Sequence, residues 1–439
     1  MGHQKYLDKA REILKNRTPL MDQRQLLRFV DQFFKNSQLY TDAHSRFGSP
    51  LYLLDEQALI RKAKEFRNAF EANLKKVSFF YALKSNNHPF LIKTLTSEGY
   101  GMDVSSGKEL RQAVQYFSPK IIFSGPGKTS DELDLACNYA DQVTVLLDSF
   151  GELRRLEKAA AKKNVRIKAG VRLMVEENGL WRKFGIPLNE ITSFFNEAEQ
   201  CPHVELCGLQ FHSSWNLDAD RQVAFLARLG GVLSRMEPAF LQRISFVDIG
   251  GGYWPVHGEW MQPRGTPEGR LKQCLEPQLM ETMEHCCLPS LPIEEFSCKL
   301  KEALDAHLLK HVDCTIYLEP GRWISHEAMH ILIKVIDKKA DDIVICDGGT
   351  NMIGWERYET EYFPVINLSR PELNEQACMI FGSLCTPHDL WGYSYFGEDI
   401  KPGDILLVPT QGAYTYSLRQ EFIKPLPQGI IINGSSIDS

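Results

Sequence analysis

Short apolar, β-rich runs recur between residues 77 and 322, and segments with helical spacing separate them. The helical segments include 107–118, 129–141 and 218–237. Strands that alternate with helices predict a parallel sheet. Eight such strands over about 250 residues favour a closed (β/α)8 barrel, also called a TIM barrel, over an open doubly wound sheet. The eight predicted strands are 77–84, 100–106, 121–128, 142–149, 166–174, 205–213, 244–252 and 314–322.

The pattern changes after residue 325. Strand-like runs follow one another there with turns and no long helical segment between them, which predicts an antiparallel β-sheet or β-barrel domain of about 110 residues. One turn contains Asp347, Gly348 and Gly349, and another spans 401–404. The predicted strands are 327–338, 342–347, 378–382 and 404–409.

The start of the chain predicts two helices, 5–15 and 20–37, as a cap or dimer element. The short strand that follows is expected to join the β domain. We therefore expect an α/β protein with a helical extension at 1–46, a joining strand at 47–56, a barrel at 57–325 and a β domain at 326–439.

Composition narrows the function classes. The 439 residues are 43% hydrophobic and 24% charged, with a net charge of −6 and no basic run, so we expect neither nucleic acid nor a membrane surface as partner. No apolar run reaches the roughly 20 residues that span a bilayer, and the N-terminus has no signal-peptide core. The 11 cysteines lack zinc-type spacing, which predicts no metal site and a cytoplasmic protein with reduced thiols.

Polar residues stand at the ends of the predicted barrel strands, where active sites of this architecture lie. A single active site would explain all of these polar residues together, whereas structural roles would require a separate explanation for each residue. The residues at these ends are Lys84, Asp103, Arg172, His212, Gly250, Gly251, Gly252, Glu319 and Arg322.

Lys84 ends an apolar run and precedes small polar residues. A partly buried lysine has a lowered pKa and becomes a nucleophile that can form a Schiff base. The alternative is a strand-end lysine that extends into solvent. Asp103 could pair with a cation near the lysine, or cap the following helix.

The other strand ends also allow two interpretations. The glycines Gly250–Gly252 could bind an anion through their N–H groups or only form a tight turn. Arg322 could bind a phosphate, or pair with an acid near Glu319. His212 could stack on a planar ring or be structural. In the β domain, Cys385 and the hydroxyl of Tyr414 could serve an active site, or pack.

A nucleophilic lysine, phosphate-binding groups, a carboxylate and a stacking histidine suit one cofactor, pyridoxal 5′-phosphate. A carboxylate beside the ring nitrogen keeps that nitrogen protonated and makes the ring a strong electron sink. This arrangement favours decarboxylation.

The motifs resemble those of the fold-III pyridoxal-phosphate decarboxylases, the ornithine and diaminopimelate decarboxylase family. They cover residues from about 50 to 415 of this chain. The matching pieces are YALKSN (81–86), MDVSS (102–106), FSGPGK (123–128), KFGI (183–186), LQFH (209–212), DIGGG (248–252), EPGR (319–322), DGG (347–349), GSLC (382–385) and GAY (412–414).

The resemblance implies an alanine-racemase-like barrel with a β domain, and a homodimer with active sites at the interface. It implies Lys84 as the Schiff-base lysine, Glu319 on the ring nitrogen and His212 over the ring. Cys385 would come from the other subunit and protonate the carbanion. Cofactor contacts are further expected at Asp103, Arg172, Gly250, Gly251, Gly252, Gly321, Arg322 and Tyr414.

The substrate-side motifs depart from the family. Thr386 stands where an acidic residue usually meets the distal amine, with Asp389 three residues later, and Arg357 is not clearly in register with the arginine of diaminopimelate enzymes. Substrate contacts are expected from Cys385, Thr386, Asp389 and Arg357.

We expect decarboxylation of a diamino acid or its conjugate, as in the branch that makes diamine units for carboxylate siderophores. The alternatives are a non-catalytic homologue that binds the cofactor and an amino-acid racemase. A racemase is disfavoured because alanine racemases usually place an arginine at the position of Glu319.

Overall fold

The computed structural model describes residues 2–116, 119–276, 283–354, 357–434 and 436–438. The chain divides into two compact units. The first comprises Met1–Ala58, His257–Pro289 and His326–Ser439, and the second comprises Leu59–Val256 and Ser290–Ser325.

The elements are numbered in chain order. The strands are β1 (Leu51–Asp55), β2 (Val77–Ala82), β3 (Gly101–Val104), β4 (Ile121–Phe123), β5 (Val143–Leu147), β6 (Ile167–Arg172), β7 (Val204–Gln210), β8 (Phe246–Asp248), β9 (Glu259–Met261), β10 (Cys286–Leu288), β11 (Thr315–Leu318), β12 (Met329–Ala340), β13 (Ile343–Cys346), β14 (Ile366–Asn367), β15 (Glu375–Phe381), β16 (Leu390–Phe396), β17 (Ile405–Val408), β18 (Gly429–Asn433) and β19 (Ser436–Asp438). The α-helices are α1 (Gly2–Lys15), α2 (Gln23–Lys35), α3 (Ser37–Phe47), α4 (Glu56–Glu71), α5 (Pro89–Ser97), α6 (Gly107–Gln115), α7 (Ser130–Cys137), α8 (Phe150–Lys163), α9 (Ile191–Ala198), α10 (Asp220–Leu233), α11 (Pro238–Leu241), α12 (Pro267–Leu275), α13 (Ile293–His307) and α14 (Arg322–Ser325).

The second unit is a closed barrel of eight parallel strands in the order β11-β2-β3-β4-β5-β6-β7-β8. The barrel prediction is therefore confirmed, and the open doubly wound sheet is wrong. Every predicted barrel strand overlaps an observed one, and the observed strands are shorter; β7 begins one residue before the predicted start at 205. The predicted runs extended into the turns after the strands, because those turns also contain apolar and small residues.

Apolar side chains fill the barrel interior. Phe246 stacks on Tyr317, with ring centroids 4.5 Å apart. A Cβ added at Gly208 would lie 2.1 Å from the Phe246 ring, so only glycine leaves room for this ring. The other core residues are Phe80, Ile122, Leu146 and Cys207. With the interior filled, the polar residues of the strand ends gather at one end of the barrel.

The first unit contains a nine-stranded sheet in the order β13-β15-β16-β14-β17-β12-β1-β18-β19. The strand expected within 47–56 is β1, which pairs with β12 and β18. The sheet is mixed rather than antiparallel, since β1–β18, β13–β15 and β14–β16 are parallel pairs. Alternation of apolar and polar residues marks strands but not their direction, which explains this error.

Three helices precede β1, where the sequence predicted two. The predicted second helix divides at Asn36, whose backbone leaves the helical region, and α3 follows it. Leu26 and Val30 of α2 pack in one core with Leu51 and Leu53 of β1.

Residues 257–289 belong to the unit that contains the sheet, whereas the expected barrel domain included them. They include β9 and β10, which pair as a separate two-stranded antiparallel sheet, and the backbone N–H of Met21 donates to the carbonyl oxygen of His285. The four expected domain boundaries stay predictions.

Within the described ranges, no helix is both long and apolar enough to cross a bilayer. The same residues contain no cluster of three or more His, Cys, Asp or Glu side chains arranged to bind a metal ion.

Candidate active site at the ends of the barrel strands

Lys84 lies in a single 3-10 turn, Leu83–Ser85, directly after β2. Ser85 Oγ donates to the carbonyl oxygen of Ala82 and stabilises the turn (2.8 Å). The Lys84 side chain is 36% exposed, and its Nζ lies 3.4 Å from Oδ2 of Asp103. The lysine is therefore held at a strand end beside a carboxylate, partly shielded from water.

Asp103 on β3 is completely buried. Ser124, just after β4, donates its hydroxyl to Oδ1 of this carboxylate. Burial raises the pKa of Asp103 to about 6, against the opposing effect of the Lys84 cation. The buried Asp103 carboxylate therefore depends on the adjacent Lys84 for its negative charge.

Glu319 follows β11 and is 2% exposed. Gln210, the last residue of β7, donates its Nε2–H to Glu319 Oε1 over 3.1 Å. Burial alone would raise the pKa of Glu319, but hydrogen-bond donors around it and the Lys84 cation lower the pKa to about 2. Glu319 is consequently a carboxylate at neutral pH.

His212 lies two residues beyond β7, with 12% of its side chain exposed. Its Nδ1 accepts a hydrogen bond from the backbone N–H of Gly251 (3.1 Å) and lies 3.4 Å from Oε2 of Glu319. Nδ1 cannot accept from one neighbour and donate to the other, and the shorter contact favours an unprotonated Nδ1. Burial lowers the pKa of His212, which agrees with a neutral ring protonated at Nε2 and facing Ser214 Oγ (3.2 Å).

The triple glycine brings the ends of β7, β8 and β11 together. Gly250 and Gly252 have φ of +72° and +82°, and a Cβ on Gly251 would lie 2.1 Å from the carbonyl oxygen of Glu319. Gly250 O accepts from the Glu319 backbone N–H (2.9 Å). These glycines form a tight turn with close backbone contacts, and phosphate binding by their N–H groups stays a prediction.

Two arginines lie near these strand ends. Arg172 ends β6, is buried, and places its guanidinium 4.2 Å from the centre of the Phe184 ring. Its Nε has no hydrogen-bond partner among the described residues. Arg322 begins α14 with its guanidinium 4.3 Å from the centre of a Trp254 ring.

Gly321 precedes α14, and a Cβ on it would lie 3.1 Å from Ser85 Cβ. The turn after β11 thus packs closely against the turn that carries Lys84. The barrel brings together nine of the predicted residues: Lys84, Asp103, His212, Gly250, Gly251, Gly252, Glu319, Gly321 and, at the end of β6, Arg172.

Apart from Arg322, which belongs to the second unit, the remaining predicted residues lie in the first unit. Cys385 is exposed in the segment between β15 and β16, next to the partly buried Thr386. Asp389 is buried, and its carboxylate accepts hydrogen bonds from the backbone N–H groups of Thr350 and Leu384 (2.6 Å each). Asp389 therefore fixes the segment that carries Cys385, and its expected contact with substrate stays a prediction.

Arg357 is engaged within the same unit. Its Nε donates to Glu361 Oε2 over 2.6 Å and its Nη1 to the carbonyl oxygen of Ala413 over 3.2 Å. The adjacent Tyr414 has φ of +56°, a conformation that costs a bulky residue about 1–3 kcal/mol and is found mostly at functional sites. Roles for Arg357 and Tyr414 in binding stay predictions.

Sequence reasoning missed three polar residues around the site: Ser124, Gln210 and Asp248. Each follows or ends an apolar strand, and Asp248 stands inside the quoted DIGGG motif. A polar residue at the end of an apolar barrel strand indicates an active-site position, and this criterion would have selected these three residues as well as the predicted ones.

Comparisons with known proteins agree with this geometry. Residues 56–326 match a family model described as the pyridoxal binding domain of pyridoxal-dependent decarboxylases. The diaminopimelate decarboxylase of Methanothermobacter thermautotrophicus is 26% identical over 412 residues, which cover 89% of this chain and 88% of that protein. An L-glutamyl-[BtrI acyl-carrier protein] decarboxylase of Niallia circulans is 24% identical, with 85% of each chain covered.

Solved structures share the fold. Diaminopimelate decarboxylase from Helicobacter pylori, in complex with L-lysine, superposes with a TM-score of 0.73 at 21% identity over 91% of this chain and 95% of that one. Lysine/ornithine decarboxylase from Vibrio vulnificus, in complex with putrescine, gives a TM-score of 0.73 at 21% identity over 92% of this chain and 99% of that one.

The raised pKa of Asp103 predicts a pH-dependent stability in the ligand-free protein. In the unfolded chain an aspartate releases its proton near pH 4, whereas folded Asp103 keeps it until about pH 6. The folded state binds more protons between these values, so the free energy of unfolding falls as the pH rises through them. Relative to wild type, Asp103→Asn should gain up to about 3 kcal/mol between pH 4 and 7.

Urea unfolding at a series of pH values measures this effect. Asp141→Asn, at an exposed position of the same unit, is the matched control and should follow wild type. Parallel stability curves for Asp103→Asn and wild type would contradict the assigned protonation.

Proposed function

The chain belongs to the pyridoxal-dependent decarboxylase family, and on this premise we propose that it decarboxylates a diamino acid or a diamino-acid conjugate. The matched residues make up more than half of the chain. The protein is thus a carboxy-lyase with pyridoxal 5′-phosphate as cofactor, and the resemblance found in the sequence is confirmed. The substrate and the role of each residue are our proposals.

One observation carries the assignment of residues. Lys84 and Asp103 belong to consecutive strands and Glu319 follows the last barrel strand, far along the chain, yet each influences the ionisation of another at the same end of the barrel. A structural lysine would need no such arrangement, since one surface carboxylate would satisfy it. Two buried carboxylates around one half-buried amine are costly unless they serve a ligand.

The residues present fit the cofactor. Arg172 offers a buried Nε that no described residue accepts from, and Lys84 offers an accessible amine. In our proposal Lys84 bonds to the cofactor, Glu319 faces the ring nitrogen and His212 lies over the ring. Gly250–Gly252, Arg322 and Tyr414 would surround the phosphate. When bound, the cofactor withdraws electrons from the substrate Cα so that carbon dioxide can leave.

The charge of Glu319 suits this role. A carboxylate whose pKa is far below neutrality holds a proton on an adjacent ring nitrogen, since it does not take that proton itself. Alanine racemases usually place an arginine here, which cannot act in this way. Glu319 therefore supports decarboxylation over racemisation, and the retained Lys84 and Cys385 speak against a non-catalytic homologue.

The segment after β15 supports a proposal on substrate. Cys385 would return a proton to the Cα after carbon dioxide leaves, and Thr386 would stand opposite the distal end of the substrate. Thr386 has no charge to pair with a free distal amine. A relative that acts on a carrier-bound glutamyl group supports a conjugated or tethered substrate. A role in siderophore biosynthesis, in the cytoplasm, is the context we propose.

Lys84→Ala should abolish two measurable properties. Without the amine, the absorbance of protein-bound pyridoxal phosphate should disappear and release of carbon dioxide from amino acids should fall by at least about a thousandfold. Lys93→Ala, at an exposed position on the next helix, should retain both. Carbon dioxide release by Lys84→Ala at the wild-type rate would refute the proposed role.

Homodimers with shared active sites can be tested by complementation. Lys84→Ala and Cys385→Ala should each be severely impaired as homodimers. When the two variants are co-expressed with different tags, about half of the dimers contain one subunit of each. Each mixed dimer has one intact site of two, so about a quarter of the wild-type activity should return. Activity equal to the mean of the two parents, in samples with proven mixed dimers, would contradict sites formed by two subunits.

The substrate proposal calls for a panel of basic and citrate-conjugated amino acids, scored by mass loss of carbon dioxide. We expect a conjugated diamino acid to have the highest kcat/KM. Thr386→Glu should shift preference toward free diamino acids by about tenfold, because a carboxylate would then face the distal ammonium. Thr386→Ser is the control, and a preference unchanged in Thr386→Glu would argue against contact with the substrate.

A further inference from the structure

Asp248 is a buried acid to which the proposed function gives no role. It is the last residue of β8 and is completely buried. Its Oδ1 accepts a hydrogen bond from the backbone N–H of Gly250 (2.8 Å), the first glycine of the triple-glycine turn. Its Oδ2 is also buried, and no N–H or O–H group of the described residues donates to it.

The carboxyl group of Glu319 is the neighbour of this oxygen. Asp248 is the sheet partner of Gln210 on β7 and of Tyr317 on β11, so its side chain lies on the same face of the barrel as Gln210 and as Glu319, two residues beyond Tyr317. The two carboxyl groups are near enough that each shifts the pKa of the other. Two buried carboxylates so close repel each other when both are ionised, and neither then has a hydrogen to donate. One of the two must therefore hold a proton, as in other buried carboxyl pairs.

The surroundings decide which carboxyl holds the proton. Glu319 accepts from the Gln210 amide and is near the Lys84 cation, and both stabilise its ionised form. Asp248 has a single donor, on Oδ1. Burial and the negative charge of Glu319 raise the pKa of Asp248 well above its ordinary value. The proton therefore lies on Oδ2 of Asp248.

His212 is not a hydrogen-bond donor to Glu319. Its Nδ1 already accepts from the Gly251 N–H, so it has no hydrogen for Glu319. The Asp248 hydroxyl is then the donor that complements the Gln210 amide. The other acids that affect Asp248 and Glu319 cannot replace it, since Asp103 only adds negative charge to the surroundings of Asp248.

We propose that Asp248 is a positioning residue, a neutral carboxyl group whose Oδ2–H donates to Glu319 while its Oδ1 accepts from Gly250. It would tie the carboxylate that faces the ring nitrogen to the turn that faces the phosphate. A neutral group suits this place because an ionised aspartate would repel the phosphate. The proposal rests on the proposed function for the roles of Glu319 and the glycine turn.

Infrared spectroscopy of ligand-free and cofactor-loaded protein tests the protonation directly. At about pH 8 Asp103 has lost its proton, and a protonated carboxyl still gives a carbonyl stretch well above the carboxylate bands. We expect this band to shift when aspartate is labelled with 13C at the carboxyl, to vanish in Asp248→Asn and to persist in Asp103→Asn. A band that shifts with labelled glutamate instead, or no such band, would overturn the proposal.

Cofactor affinity tests the positioning. Asp248→Asn keeps both hydrogen bonds, since its Nδ2–H replaces the hydroxyl, so its Kd for pyridoxal 5′-phosphate should stay within about threefold of wild type. Asp248→Ala leaves Glu319 and Gly250 without partners, and its Kd should rise by about tenfold or more. Equal losses in the two variants, or none in Asp248→Ala, would refute the role.

The two tests remain informative if a variant is unstable or if the proposed function fails. The isotope shift is measured on the wild-type protein and needs no substitution to fold. Neither test needs turnover, so a protein that releases no carbon dioxide from any amino acid would refute the proposed function without affecting the protonation of Asp248.

Discussion

The candidate active site depends on the mutual neutralisation of buried charges at one end of the barrel. Asp103 and Glu319 are almost completely shielded from water, and an isolated carboxylate in such a place would take up a proton. Lys84 shifts the balance for both acids, while Ser124 and Gln210 donate hydrogen bonds to them. Removing any one member changes the ionisation of the rest, so the cluster acts as a unit.

The closed barrel makes this cluster possible. Parallel strands all end on the same side, and an interior filled by Phe246 and Tyr317 leaves the strand ends as the place for polar groups. The triple glycine then lets the turn after β8 approach the backbone of Glu319 more closely than any other residue would allow. The same turn fixes the tautomer of His212 through the Gly251 N–H.

The residues that we propose for the cofactor and those that we propose for the substrate belong to different units. Lys84 and Glu319 belong to the barrel unit, whereas Cys385 and Thr386 lie on a segment of the other unit that Asp389 fixes through Thr350 and Leu384. A decarboxylase family with varied substrates is consistent with this division, because the segment can change its residues while the barrel keeps its own.

The sequence by itself determined the barrel, its eight strands and the polar residues that end them, since these follow from local hydrophobic patterns and from motif order. It also determined the cofactor class, because Lys84, Glu319 and the glycines suit one cofactor in combination and occur in the order of one family's motifs. The tertiary structure alone decided the parallel pairs in the sheet, the division of helix 20–37 at Asn36, and the contacts of Asp248, Gln210 and Ser124. The strand pairs and the side-chain contacts depend on which strands become neighbours, and local periodicity carries no information about partners distant in the chain. The division at Asn36 is a local change of backbone conformation within a run whose apolar spacing continues on both sides.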